Sequence, residues 1–200
     1  MTQPAMDERL RALARACPAR LLFPGATQVV PGEGNPAARL VLVGEAPGAD
    51  EDRLGRPFVG RSGKLLDQML TEAGLSRDQL WITNTVKCRP VIDEGGRVRN
   101  RAPLTSEVKA WLPVLQEELQ AIGPVAVVGL GAIAGKALAG PTFAITRERG
   151  RWFTERLTGR KALVTWHPAY LLRQTGAIYS ERLAEGIADL AAARIALETE

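Results

Sequence analysis

Four short runs of the chain are apolar almost without interruption: RLVLVG at 39–44, LWITNTV at 80–86, VAVVGLG at 125–131 and KALVTWH at 161–167. Runs of that length without alternation fit strands of a parallel sheet covered on both faces. Amphipathic stretches lie between them. SGKLLDQMLTEAG starts at Ser62, a residue suited to cap a helix, and ends at Gly74. TSEVKAWLPVLQEELQAIG covers 105–123, with Thr105 or Ser106 as cap, and Pro113 predicts a late start or a kink. GAIAGKALAG predicts a short helix after the third strand. A long alanine-rich helix is expected from Ser180 to Glu200 and an amino-terminal one at 5–16. Strand and helix in alternation give an α/β fold with right-handed crossovers. Residues 23–38 and 88–104 read as loops. Ligands of open α/β sheets sit beyond the carboxyl ends of the strands, so the segments after Gly44, Val86, Gly131 and His167 are where chemistry is expected.

Composition adds bounds. The 200 residues suit one domain spanning 1–200, and 46% hydrophobic residues can supply a sizeable core. A net charge of +4 and a pI near 9.4 admit a phosphate-bearing partner without requiring one. No run approaches the roughly 20 apolar residues of a membrane span. The first twenty residues mix acids and arginines at helical spacing with no apolar signal core, so a cytoplasmic protein is the simplest expectation. Cys17 and Cys88 do not make a disulfide framework, and alone they cannot complete a four-cysteine metal or cluster site.

The loop GEAPGADEDRLGRPFVGRSG at 44–63 places acids, an Arg-Pro-Phe and five glycines between a strand and a helix. Its end, Gly60-Arg61-Ser62-Gly63, opens a helix and so offers amides to an anion. Phe58 in such a loop is either a stacking platform for a planar ring or an anchor to the core. Asn84 is polar where the strand pattern expects apolar. Its amide matches the imide edge of a pyrimidine, or else bonds a neighbouring turn. GLGAIAG at 129–135 has the form of a dinucleotide loop but the wrong spacing, and fits a tight strand-to-helix turn better. His167, the one histidine, ends the fourth strand before Pro168. A neutral imidazole there can donate to an oxygen that gains charge. Leu171 and Leu172 after it are either a wedge for a base stack or core residues.

Together these segments resemble family 4 of the uracil-DNA glycosylase superfamily. The similarity runs through VPGEGNP (30–36), GEAPGADEDRLGRPFVGRSGKLLD (44–67), ITNTVKCRP (82–90), NRAP (100–103), ERGRW (148–152) and HPAYLLR (167–173). The resemblance implies a three-layer α/β/α sandwich around a four-stranded parallel sheet, acting as a monomer on uracil-containing DNA. It implies that Phe58 stacks on an extruded uracil, that Asn84 reads its edge, and that His167 holds O2 as the base leaves as an anion. Ala46, Pro47 and Gly48 line the base site in this picture. Glu45 and Ala46 fall where other branches carry a water-activating acid, which is absent at Ala46. Glu51 is the other candidate, organising water or crowding a thymine methyl. Ser62, Arg99, Arg101, Arg149, Leu171, Leu172 and Arg173 are the expected DNA contacts.

The chain departs from the family in two places. Family 4 usually carries a four-iron, four-sulfur cluster on four cysteines. Here the matching positions read Ala14, Cys17, Cys88 and Trp111, so two ligands are missing and the cluster is expected to be absent. The segment 91–101 is longer than usual. A related group carries there a histidine that bonds the DNA sugar, whereas Asn100 occupies the region here. No other metal is expected. The competing expectations are a protein that binds uracil-containing or abasic DNA with weak turnover, and a nucleotide-binding enzyme built on GLGAIAG.

Overall fold

A computed structural model describes residues 3–198 of the chain. The four apolar runs form the parallel centre of the sheet: β2 (Leu40–Gly44), β3 (Trp81–Asn84), β6 (Ala126–Leu130) and β8 (Lys161–Thr165), in the order β3-β2-β6-β8. The expected four strands become six. Two-residue strands β1 (Glu33–Gly34) and β7 (Phe153–Thr154) close the edges antiparallel to β3 and β8. Both are too short and too polar to stand out as apolar runs. The expected loop at 91–100 is a separate hairpin of β4 (Val91–Glu94) and β5 (Arg97–Asn100), turning at Gly95-Gly96.

Side chains alternate across each central strand, and both faces are covered. Leu40 and Leu42 face a cluster built with Leu66, Met69 and Leu70 of α3 (Arg61–Glu72), Leu171 of α7 (Pro168–Leu171) and Leu190 of α8 (Gly176–Glu198). Val41 and Val43 face Leu115 and Leu119 of α4 (Thr105–Ile122) and Leu138 of α5 (Gly131–Ala139). That is the expected three-layer sandwich. The helix α4 runs unbroken through Pro113 and ends at Gly123 in left-handed conformation. The last helix starts at Gly176, ahead of the expected Ser180. The amino-terminal α1 (Gln3–Ala16) packs on α4. Two more short helices, α2 (Ala49–Leu54) and α6 (Ile145–Glu148), lie in the segments after β2 and α5.

Chain direction explains where the site lies. From β2 the chain crosses by α3 to β3 on one side. From β3 it crosses by α4 to β6 on the other side of β2. The order therefore reverses at the carboxyl ends of β2 and β6, and the diverging loops leave a crevice there. Among the described residues no helix is long and apolar enough to cross a membrane.

Candidate active site

A cavity of about 620 Å³ opens at that crevice, within the range of about 300–1,000 Å³ common for small-ligand sites. Glu45, Ala46, Pro47, Gly48, Phe58, Asn84, His167 and Arg173 all line it, as do Glu51 and Ser62. The structure thus brings these ten residues to one cavity.

Glycines bring them close. A Cβ on Gly44, the last residue of β2, would lie 2.4 Å from Asn84 Oδ1 and 2.5 Å from Phe58 Cζ. A Cβ on Gly131, which has a φ of +90°, would lie 2.9 Å from His167 Cβ. Gly135 leaves room for the Phe143 ring in the same way. The glycines of GLGAIAG are thus accounted for by packing, without a dinucleotide.

Asn84 is 2% exposed, and its Oδ1 is buried with no hydrogen-bond partner among the described residues. Native interiors rarely leave an acceptor unpaired, so this oxygen calls for a donor from a bound water or a ligand. Phe58, 5% exposed, stacks at 5.8 Å and 29° on the His167 ring. His167 Nδ1 accepts a hydrogen bond of 3.0 Å from the amide of Ala169. An accepting Nδ1 carries no proton, so the neutral ring carries its proton on Nε2, free to donate.

Burial, helped by the positive charge of Arg173, lowers the His167 pKa from 6.5 to about 4. In the unfolded chain the imidazole takes up a proton near 6.5, in the folded one only near 4. Stability linked to this group is therefore complete above 6.5 and is lost as pH falls from 6.5 toward 4. As the chain has a single histidine, its Cε1–H resonance in solution is unambiguous. That resonance is expected to hold still from pH 8 down to about 5.5 and move only near 4. Movement centred between 6 and 7 would refute the neutral, donating ring.

Glu45 sits at the end of β2 with its pKa raised by burial, partly offset by Arg173. Glu51 has a different role. Its Oε1 accepts from the amides of Val59 (2.9 Å) and Gly60 (2.8 Å), and its Oε2 from Gly48 (3.0 Å). These bonds make Glu51 the residue that shapes the loop, while it also lines the cavity. The same carboxylate occupies the amides leading into α3, where the sequence suggested an external anion. Gly60, not Ser62, precedes that helix.

Several expected DNA contacts are engaged elsewhere. Arg149 bonds Asp189 at 2.6 Å and Glu185 at 3.2 Å, and lies over the Trp166 ring, tying α8 to the end of β8. Leu171 is fully buried and cannot wedge into a base stack, whereas Leu172 is 38% exposed. Arg101 forks onto Glu107 at 2.6 and 2.7 Å, and Arg99 pairs with Glu94 across the hairpin. Asn100 reaches the pocket wall, accepting from Arg89 at 2.7 Å.

Behind the pocket lies a group the sequence reading missed. Lys87 is wholly buried, and its ammonium donates to Thr83 Oγ1 (2.5 Å), Asn84 O (2.7 Å) and Glu118 Oε2 (2.6 Å). Trp81 Nε1 donates to the other Glu118 oxygen at 3.0 Å. Nothing local in TNTVKC marks this lysine as interior.

The profile of the Uracil DNA glycosylase superfamily matches residues 31–191. The chain belongs to the uracil DNA glycosylase superfamily. A type-4 uracil-DNA glycosylase of Thermotoga maritima is 43% identical over 169 residues, covering 84% of this chain and 82% of that protein. One of Sulfurisphaera tokodaii is 41% identical, covering 82% and 75%. A type-5 enzyme of Pyrobaculum aerophilum is 34% identical, covering 78% and 72%.

The four positions matching the family 4 cluster ligands do converge. Ala14, Cys17, Cys88 and Trp111 share one apolar cluster with Phe23, Val86 and Val114. They do not fit a four-thiolate cluster. The Trp111 indole is fully buried in that space, and burial, more than the nearby Asp52 and Cys17, pushes the Cys88 thiol up to about 12, against thiolate formation. Among the described residues no group of three or more His, Cys, Asp or Glu could hold a metal ion.

Proposed function

We propose that this chain excises uracil from DNA, breaking the N-glycosidic bond and leaving an abasic site. The unpaired Asn84 Oδ1, set beside Phe58 and His167, carries the reading. Uracil presents N3–H as a donor at the matching edge, whereas cytosine, with no hydrogen on N3, sets an acceptor against the buried oxygen in this amide orientation. Such a mismatch costs much more than a missing hydrophobic contact.

The base must first leave the stack, at a cost of a few kcal/mol. Stacking on Phe58 and the bond to Asn84 offset part of it. As the bond breaks, negative charge gathers on uracil O2 and positive charge on the sugar. The Nε2–H of His167 meets the first, and Glu45 with the DNA phosphates balances the second. Glu45 also suits orientation of the attacking water. Arg173 and Ser62, which line the pocket, supply DNA contacts, and the exposed Leu172 enters the vacated stack. No step involves an iron–sulfur cluster, and we read that group as lost from this chain, its volume filled by Trp111. We read the protein as acting as a monomer, and a DNA substrate supports a cytoplasmic location.

A second reading, tight binding of uracil-containing or abasic DNA with weak turnover, is favoured by Asn100, which the hairpin carries to the pocket wall. One assay separates them. The purified protein, incubated with a uracil-containing oligonucleotide and then alkali, is expected to give strand scission at the uracil with many turnovers. Scission limited to one event per protein would favour the second reading. None above background would sink the first.

A further inference from the structure

Phe58 has a φ of 53°, the one non-glycine residue with positive φ among the described residues. A bulky side chain holds that conformation only when its surroundings impose it. Glu51 fixes the amides that follow Phe58. The carbonyl side is fixed by a residue outside every motif quoted above. Arg77, in the 3₁₀ turn Arg77–Gln79 ahead of β3, donates from Nη1 to Phe58 O at 3.1 Å and from Nη2 to Pro57 O at 2.6 Å. Its guanidinium is held in turn by Asp67 at 3.0 Å and Glu33 at 3.2 Å. Gly63 closes the remaining side, since a Cβ there would fall 1.9 Å from the Phe58 carbonyl oxygen.

We propose that Arg77 is a positioning residue of the uracil site, fixing the Phe58 carbonyl and so the plane of the ring that stacks on the base. The inference rests on the uracil-excision reading. A planar guanidinium can span two successive carbonyls and two carboxylates at once, which an ammonium cannot. Stacking persists from the bound base to the transition state, so its loss is a loss of uniform binding and appears in KM.

The test compares Arg77→Met and Arg77→Lys in the native and Phe58→Ala backgrounds. In the native background Arg77→Met is expected to raise KM for a uracil-containing oligonucleotide about tenfold, the scale of one lost base–aromatic stack, with kcat little changed. In the Phe58→Ala background the same change should leave KM where it was, although the melting temperature drops equally in both. Arg77→Lys keeps the charge but not the fork, and should stay impaired. A native KM in Arg77→Met, or the same KM ratio in both backgrounds, overturns the inference while leaving the excision reading intact. A native protein that excises no uracil overturns the excision reading, and this inference with it.

Discussion

Lys87→Met is expected to destabilise the fold by about 3–5 kcal/mol, the usual cost of removing one partner from a buried ion pair. The lysine has no exposed surface, and its three N–H donors meet three acceptors. Burial lowers its pKa, and Glu118 opposes that shift. Without the ammonium, the Glu118 carboxylate keeps only the Trp81 indole N–H at 3.0 Å and the Thr83 hydroxyl at 2.9 Å as donors. An under-compensated charge would remain inside the core. Urea unfolding should show a lower midpoint with an unchanged slope. Pairing the change with Glu118→Gln should restore much of the loss, because the two residues share one interaction. Additive losses would show that the pair does not act as a unit. The effect should also reach the site, since the same ammonium holds the main-chain carbonyl of Asn84.

His167→Ala is expected to lower the excision rate about 10²–10³-fold, the typical cost of losing one donor to a developing oxyanion. Single-turnover kinetics on a uracil-containing oligonucleotide measure it. The charge on O2 develops only as the bond breaks, so the loss should fall on kcat more than on KM. A modest rise in KM is expected as well, because Phe58 loses the ring it stacks on. A variant that retains the native rate would remove His167 from the mechanism.

The sheet centre was legible from local pattern, whereas Phe58 and Asn84 kept two readings each and were drawn into one pocket only by the family resemblance. LVLVG is apolar throughout, and Asn84 and His167 stand at or just past the ends of such runs. Phe58 was legible as an aromatic amid glycines, although its left-handed backbone was not. The edge strands escaped because Glu33–Gly34 and Phe153–Thr154 are only two residues long. The hairpin escaped because most of its side chains are exposed, so no apolar alternation marks it. A signal was present in Gly95-Gly96, both at positive φ, a pairing that favours a two-residue turn. Arg149 and Leu171 were misread because their surroundings are remote in sequence. The partner of Arg149 lies 40 residues away. Arg77, Lys87 and Glu118 escaped for the same reason. Their roles consist of bonds to residues that only the folded chain brings near.

The cluster around Trp111 also sets how the amino-terminal helix is anchored. Ala14 and its neighbour Leu13 are held there by methyl and aromatic carbon. Such contact draws its strength from the expulsion of water, which weakens on cooling. Its weak point is cold.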